Sequence, residues 1–446
     1  MSTPIGARSG TADRCACGQV HRVPIEVVVI DDAAVDYLVS YAQGRHWTRP
    51  FVVMDANTEE VAGSRVTSAL SSVGMAVRSF SYPERKGLLA DELNVTRLEA
   101  ALRKVDTDSI FSVGSGVITD LTRYVASRLG REFVSVPTAA SMDGYASGVA
   151  VMEFGGMKTS YTAPPPIAIF AEPDTIASAP LDMTRAGIGD LLGKASARTD
   201  WVAAHCLYGE YLCVEVEKRV AEALLQTASH IHDILAGSPE AAGTFLSGLV
   251  ESGIAIAMVG SSRPASGCEH QVSHFLDLLA ANGRRAHAPH GLQVGYATGF
   301  AMRLQLHAFA GALSELSPPR PPARGDDEMR RLFAGHDTQV DEVMEQKRRF
   351  LAEHASRWPS TAARWAEVKE RVGAPVAVFP VIAEALSIAG IPSEPGFLDL
   401  DAATLRTCFR WANRIRPRYT VLDFLEGQGR LDDAIDDLFT SMSPGS

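Results

Sequence analysis

The sequence predicts an α/β N-terminal region built on a doubly wound parallel sheet, joined to an all-α C-terminal helical domain. Three observations carry that expectation. Short β-rich runs alternate with amphipathic helical stretches from Ile25 to about Ala168, several of those runs end in small residues, and beyond AIFAEPDTI (168–176) long helical stretches take over. At 446 residues the chain exceeds one ordinary core, so two domains are expected: a tail over 1–22, the sheet domain over 23–168 and the helical domain over 169–446.

In chain order, Met1 to Arg14 is polar, rich in small residues and without the apolar core of a signal peptide, so it reads as a disordered tail. Cys15-Ala16-Cys17-Gly18 and His21 offer three zinc-type ligands, but a fourth is not evident nearby. Reduced thiols in a surface turn account for them, and no metal is assigned there. VVVI (27–30) and FVVMD (51–55) are strands bounded by polar turns, while FSVGSG (111–116) and FVSVPT (133–138) end in small residues. A parallel sheet gathers ligands at the carboxyl ends of its strands, which makes this a nucleotide-binding geometry. Composition shifts near Pro164-Pro165-Pro166. The stretches 183–205, 217–235, 244–260 and 341–358 then show amphipathic periodicity without strands, as in a helical bundle. The proline- and charge-rich segment 314–331 reads as an exposed connection, and no internal repeat is present.

Charge and cysteine usage exclude several classes. The net charge of -11, spread over both halves, argues against nucleic acid or an anionic membrane as partner, because both demand clustered cations. No run of about 18 uncharged apolar residues occurs. The best candidate, Val294 to Leu313, is broken by Arg303, Gln305 and His307. Six scattered cysteines do not make a disulfide scaffold, and a cytoplasmic location is expected.

The chemistry-bearing residues fall into two groups. In the sheet domain, Gly114-Ser115-Gly116-Val117-Ile118-Thr119 closes an apolar run and opens a helix, a turn whose backbone N–H groups can approach a pyrophosphate. A bare strand-to-helix turn explains it equally well, since the third spaced glycine of the dinucleotide fingerprint is missing. Thr138-Ala139-Ala140-Ser141 and Ser147 lie in a second small-residue loop with Asp143, a carboxylate that can orient a hydroxyl or relay a proton, or simply form an Asx-turn. Asp55, directly after FVVM, can accept from a ribose or shape a turn.

In the helical domain, His270 and His274 stand one helical turn apart and share a face. With Asp190 they make a candidate metal site, and His290-Gly291 supplies a third histidine. Lone histidines are more often surface or core residues than ligands, and Asp190 with Lys194 also reads as an i,i+4 ion pair on the surface.

Taken together, MDANT with VAG, GSGVITD, SVPTAASMDGYAS, GDLLGK, RPASGCEHQVSHFLD, HGLQVG and IRPRYTVLDFL span nearly the whole chain. They resemble the sn-glycerol-1-phosphate dehydrogenase family, in particular its bacterial AraM-like branch. The wider group includes glycerol dehydrogenase, iron-type alcohol dehydrogenases and dehydroquinate synthase. The N-terminal CACGQVH is similar to a segment of the bacterial branch as well. The resemblance implies a Rossmann-like dinucleotide-binding domain and a helical metal- and substrate-binding domain, with NAD or NADP and one divalent metal (Zn²⁺, Ni²⁺ or Fe²⁺). It implies Asp190, His270 and His290 as metal ligands, with His287 a competitor for the third place. Asp143 and His274 are implied as catalytic and substrate-contacting residues. Asp55, Gly114, Ser115, Gly116, Val117, Ile118, Thr119, Thr138, Ala139, Ala140, Ser141 and Ser147 are implied at the dinucleotide. Ser115 departs from a more usual glycine but should still permit the turn.

The expected activity is interconversion of dihydroxyacetone phosphate and sn-glycerol 1-phosphate. Lys194, Arg263 and His274 are the phosphate candidates, and Asp190 also stands near the substrate. The alternatives are a dehydrogenase of another small polyol or of a phosphorylated or phosphonylated ketone, a cyclase that uses NAD transiently, and a nucleotide-binding protein without metal. The charge of Asp55 leans towards NAD. The expected partners are a small phosphorylated three-carbon substrate and, from the resemblance, further copies of the chain in a homodimer or larger homo-oligomer. No nucleic acid and no membrane insertion are expected.

Overall fold

The computed structural model describes residues 15–155, 157–311, 316–320 and 325–440. The expected tail therefore lies outside the described residues up to Arg14, as does part of the 314–331 connection. By internal contacts the chain forms two compact units, one of Met1–Gly187 with Leu225–Ser261, the other of Ile188–Leu224 with Ser262–Ser446.

The first unit carries a six-stranded parallel sheet. Its strands are β1 (Val27–Ile30), β2 (Pro50–Asp55), β3 (Arg78–Tyr82), β4 (Ser109–Gly114), β5 (Val134–Pro137) and, after the hairpin β6 (Val149–Phe154) and β7 (Met157–Thr162), β8 (Ala168–Ala171). The strand order is β1-β8-β5-β4-β2-β3. Central strands β4, β5 and β8 are buried at every position, as helices on both faces of a parallel sheet require, whereas edge strand β3 is exposed at its first residues. One face is filled by Val35 and Leu38 of the helix Ala34–Gly44 and Val66 and Leu70 of Ser64–Ser72. The other is filled by Val95 and Leu98 of Glu92–Arg103 and Leu121 and Val125 of Gly116–Arg128. Each pair is spaced three or four residues apart, so one helical face is buried.

The antiparallel hairpin β6–β7 was not expected from the sequence. Gly155, at φ +59, supplies the left-handed residue at its turn. The helix Pro239–Val259 also belongs to this unit; Ser238 caps its start and Gly260, at φ +71, ends it. It and the stretch Trp365–Ile388 are long and apolar enough for a membrane span by composition. The first, however, is mostly buried and so reads as a core helix, and the second is interrupted by Pro375.

The second unit is helical. Residues 188–204 of the helix Leu181–Tyr208, the part that lies in this unit, are buried without a break, the mark of a helix surrounded by others. Cys268–Ala281 packs along His290–Gln305, and Ala402–Trp411 along Leu431–Thr440. Gly189 and Gly295 let the first and third of these helices meet backbone to backbone. A Cβ on Gly189 would stand 2.2 Å from the carbonyl oxygen of Gly291, and one on Gly295 would stand 2.6 Å from Cα of Gly189.

Candidate active site

In the sheet unit, β2 and β4 are neighbours, yet the chain leaves β2 outward to β3 and leaves β4 in the opposite direction to β5. Such a reversal opens a crevice at the strand carboxyl ends. Asp55 ends β2 and Gly114 ends β4, so the two expected dinucleotide segments stand on adjacent strands. Ser115 is extended at φ -95, a conformation any residue adopts, so serine fits where glycine is more usual. Gly116 begins the helix Gly116–Arg128, placing Val117, Ile118 and Thr119 in its first turn; the Thr119 amide bonds the Ser115 carbonyl at 3.0 Å, and the amides before it lack helical partners. Gly114 is required by packing, since a Cβ there would meet that of Ile118 at 2.6 Å.

The side chains in this region mostly serve the backbone. Asp55 Oδ1 accepts from the amides of Asn57 and Thr58, both at 2.9 Å, in a capping box. Thr138, Ala139 and Ala140 after β5 are buried, with Ser141 half-buried. Gly187 admits the Ala140 carbonyl so closely that a Cβ would stand 2.0 Å from its oxygen. Tyr145 donates its hydroxyl to the Ala139 carbonyl at 2.5 Å. Ser147 is turned onto the carbonyls of Gly144 (3.2 Å) and Val149 (3.1 Å). Asp143 is half-buried and accepts from Ser252 Oγ at 2.9 Å.

In the helical unit, Asp190 on Leu181–Tyr208, His270 on Cys268–Ala281 and His290 at the start of His290–Gln305 converge. One donor atom from each lies within 4.8 Å of the others. His270 Nε2 is 3.5 Å from Asp190 Oδ1, while its Nδ1 is 2.7 Å from Glu269 Oε1. Lys194, one turn beyond Asp190, donates its Nζ to Asp190 Oδ1 at 2.5 Å. Ser273 Oγ is 3.0 Å from His290 Nδ1. The Asp190–Lys194 pair therefore lies in the core, with side chains 2 % and 0 % exposed, and not on the surface.

Charges buried this deeply persist only when paired. Burial would raise the Asp190 carboxyl, but the Lys194 ammonium and the His270 and His290 rings hold it below the usual carboxylate range. Burial would lower His270, and its bonds to Asp190 and Glu269 outweigh that and raise it. Glu269, also pushed up by burial, is brought below its ordinary value by His270 and the Gly267 amide.

His274 is half-buried, its ring 5.5 Å from that of His290 and 6.3 Å from that of His270. The two histidines of the H-x-x-x-H pair do share one face. His274, Asp277 and His290 form a second grouping with donor atoms within 4.8 Å, whereas His287 is exposed and belongs to neither. Arg263 is engaged elsewhere. Its Nε and Nη2 meet Glu210 at 2.7 and 2.8 Å, and Nη2 also donates to the Tyr419 carbonyl at 2.9 Å.

Sequence reasoning missed Glu269, Ser273, Ser252 and Tyr145. Each orients a neighbour and matches no motif by itself. Only the position of Glu269 beside His270 hinted at a carboxylate behind a ligand imidazole.

A family model described as iron-containing alcohol dehydrogenase matches residues 29–180. The glycerol-1-phosphate dehydrogenase [NAD(P)+] of Halalkalibacterium halodurans is 34% identical over 290 residues, 64% of this chain and 72% of that protein. The protein of the same name from Geobacillus stearothermophilus is 31% identical over 337 residues, 75% of this chain and 83% of its own length. The solved iron-containing alcohol dehydrogenase of Thermococcus thioreducens superposes with a TM-score of 0.63 at 13% identity, over 94% of this chain and 99% of that one, a likeness of fold.

Proposed function

This chain belongs to the glycerol-1-phosphate dehydrogenase family, and we propose that it interconverts dihydroxyacetone phosphate and sn-glycerol 1-phosphate using NAD(P)H, with one divalent metal held by Asp190, His270 and His290. It is a metal-dependent, NAD(P)-linked oxidoreductase. The observation that carries the site assignment is the convergence of buried Asp190 and His270 with half-buried His290 in a cluster of paired charge. One carboxylate and two imidazoles suit Zn²⁺, Ni²⁺ or Fe²⁺. When bound, the metal supplies charge stabilisation at the substrate oxygen and the dinucleotide supplies the hydride.

The chain's own groups prepare that chemistry. Glu269 Oε1 accepts the Nδ1–H of His270, so that Nε2, 3.5 Å from Asp190 Oδ1, is the ring atom that would hold a metal beside that carboxylate. Ser273 fixes the His290 ring in the same manner. Lys194 offsets the charge of Asp190, so that Asp190, Glu269 and Lys194 together carry one net negative charge for a cation to neutralise. Among the phosphate candidates, Lys194 and Arg263 are each bound to a carboxylate, and half-buried His274, its ring 5.5 Å from that of His290, is assigned to the phosphate or proton contact. Asp143, steadied by Ser252, is assigned to a substrate hydroxyl. Asp55, the 114–119 turn, Thr138 to Ser141 and Ser147 are assigned to the dinucleotide, with the first helical turn after β4 supplying N–H donors to its phosphates.

The test is to incubate metal-loaded protein with dihydroxyacetone phosphate and NADH or NADPH and determine the hand of the product. Formation of sn-glycerol 1-phosphate is expected; the opposite hand, or no product, overturns the assignment. The proposal extends to a cytoplasmic homo-oligomer, supported by the six cysteines being thiols and by the family resemblance. A monomeric mass in sedimentation would refute the assembly.

A further inference from the structure

We propose that the chain holds a second metal, a zinc ion bound by Cys15, Cys17 and His21 that serves structure and not turnover. The three side chains lie within seven residues of sequence, and their donor atoms stand within 4.8 Å of one another. A tight turn gathers them. The Gly18 amide bonds the Cys15 carbonyl at 2.8 Å and the Cys15 amide bonds the Gln19 carbonyl at 3.0 Å. Gly18 takes φ +83, a left-handed conformation that favours glycine, so the residue after the second cysteine is fixed by the turn.

The imidazole is oriented as a ligand imidazole is oriented. His21 Nδ1 is 2.7 Å from the carbonyl of Met258, in the last turn of Pro239–Val259, where helix carbonyls lack partners of their own. A carbonyl can only accept, so the proton sits on Nδ1 and the lone pair on Nε2. Nε2 in turn faces Cys17 Sγ at 3.3 Å. Zinc at the usual distances, roughly 2.3 Å to sulfur and 2.0–2.1 Å to nitrogen with a tetrahedral angle, separates S and N by about 3.6 Å, so metal entry needs a shift of only a few tenths of an ångström. Two thiolates and one imidazole favour Zn²⁺ over harder cations. Binding releases the two thiol protons to solvent as the thiolates form. Closed zinc sites take four ligands, and the remaining thiols of the chain are Cys206, Cys213, Cys268 and Cys408.

This site differs in chemistry from Asp190–His270–His290, which contains no sulfur, and that difference makes the test clean. The full chain, purified without a histidine tag, is loaded with Zn²⁺ for elemental analysis and separately with Co²⁺ for absorption spectroscopy. His270→Ala should keep one metal per chain and the near-ultraviolet thiolate-to-cobalt band. Cys15→Ser with Cys17→Ser should lose that band and one metal per chain while keeping turnover. Serine substitution at each remaining cysteine, read by a drop in band intensity, identifies a fourth thiolate. A His270→Ala protein with no thiolate band, or a Cys15→Ser/Cys17→Ser protein with unchanged metal content, overturns the proposal. His21→Ala adds a check that does not remove sulfur: the band should shift and the metal should exchange faster.

Discussion

The strand-end loops of the sheet unit and the polar cluster of the helical unit are built on opposite principles. At the strand ends the proposed binding groups belong to the main chain, and side chains such as Asp55, Ser147 and Tyr145 are spent on holding it in shape. In the helical unit the main chain is sealed in helices, and the proposed metal site is made of side chains, Asp190, His270 and His290, with Glu269 and Ser273 behind the two rings. A backbone site recognises a phosphate by geometry and tolerates exchange of many side chains. A side-chain site depends on identity at each position.

The largest effect that would test this contrast lies at the histidines. His270→Ala should reduce bound catalytic metal and turnover to background, whereas His274→Ala should retain that metal and lower kcat by about 10²–10⁴-fold. Equal metal loss in both would return His274 to the ligand set. Next, Glu269→Gln keeps the shape beside His270 but removes the charge, and metal affinity should weaken by about 10–100-fold. An unchanged dissociation constant would mean that Glu269 does not tune the imidazole.

Gly187→Ala probes the other principle. Its Cβ would collide with the Ala140 carbonyl, displacing the loop at a cost of about 1–3 kcal/mol. The dinucleotide KM should rise while metal content stays constant. A change in metal content with no change in KM would contradict the separation of tasks.

The smallest effect concerns pH. Burial, reinforced by Glu269, raises the Asp200 carboxyl to about 7, against the hydrogen bonds from Gln305 and the Cys268 amide. Because the folded state then holds a proton that the unfolded state releases near 4, this group's stabilisation is complete below about pH 4 and is lost as pH rises through about 7. Thermal unfolding between pH 5 and 8 should show that decline, and Asp200→Asn should flatten it. The same slope in the variant would mean that Asp200 is ionised throughout.

The fold was legible where the chain is apolar and regular. β1 coincides with VVVI, and β2, β4 and β5 overlap FVVMD, FSVGSG and FVSVPT within two residues at each end, because strands covered on both faces are continuous apolar runs. Edge strand β3, RSFSY, alternates with polar residues, and the β6–β7 hairpin has no such run, so neither announced itself. The Asp190, His270 and His290 trio was legible through a family resemblance spread over the chain. The i,i+4 spacing alone suggested a surface ion pair for Asp190–Lys194 and two equivalent histidines. Arg263 drew attention by its charge near the histidine motif, while its partner Glu210 stands 53 residues earlier, a distance that no local pattern bridges.

The contact of Gly189 with Gly291 and Gly295 has a consequence for how the protein can be altered. Two of the three converging residues sit on helices whose axes cannot separate without losing that contact, so the span between Asp190 and His290 is set by main-chain thickness. Exchanging one metal for another by redesign should therefore proceed by changing donor atoms at fixed positions. Attempts to widen the site by enlarging Gly189 or Gly295 would separate the helix pair before a larger ion could be held.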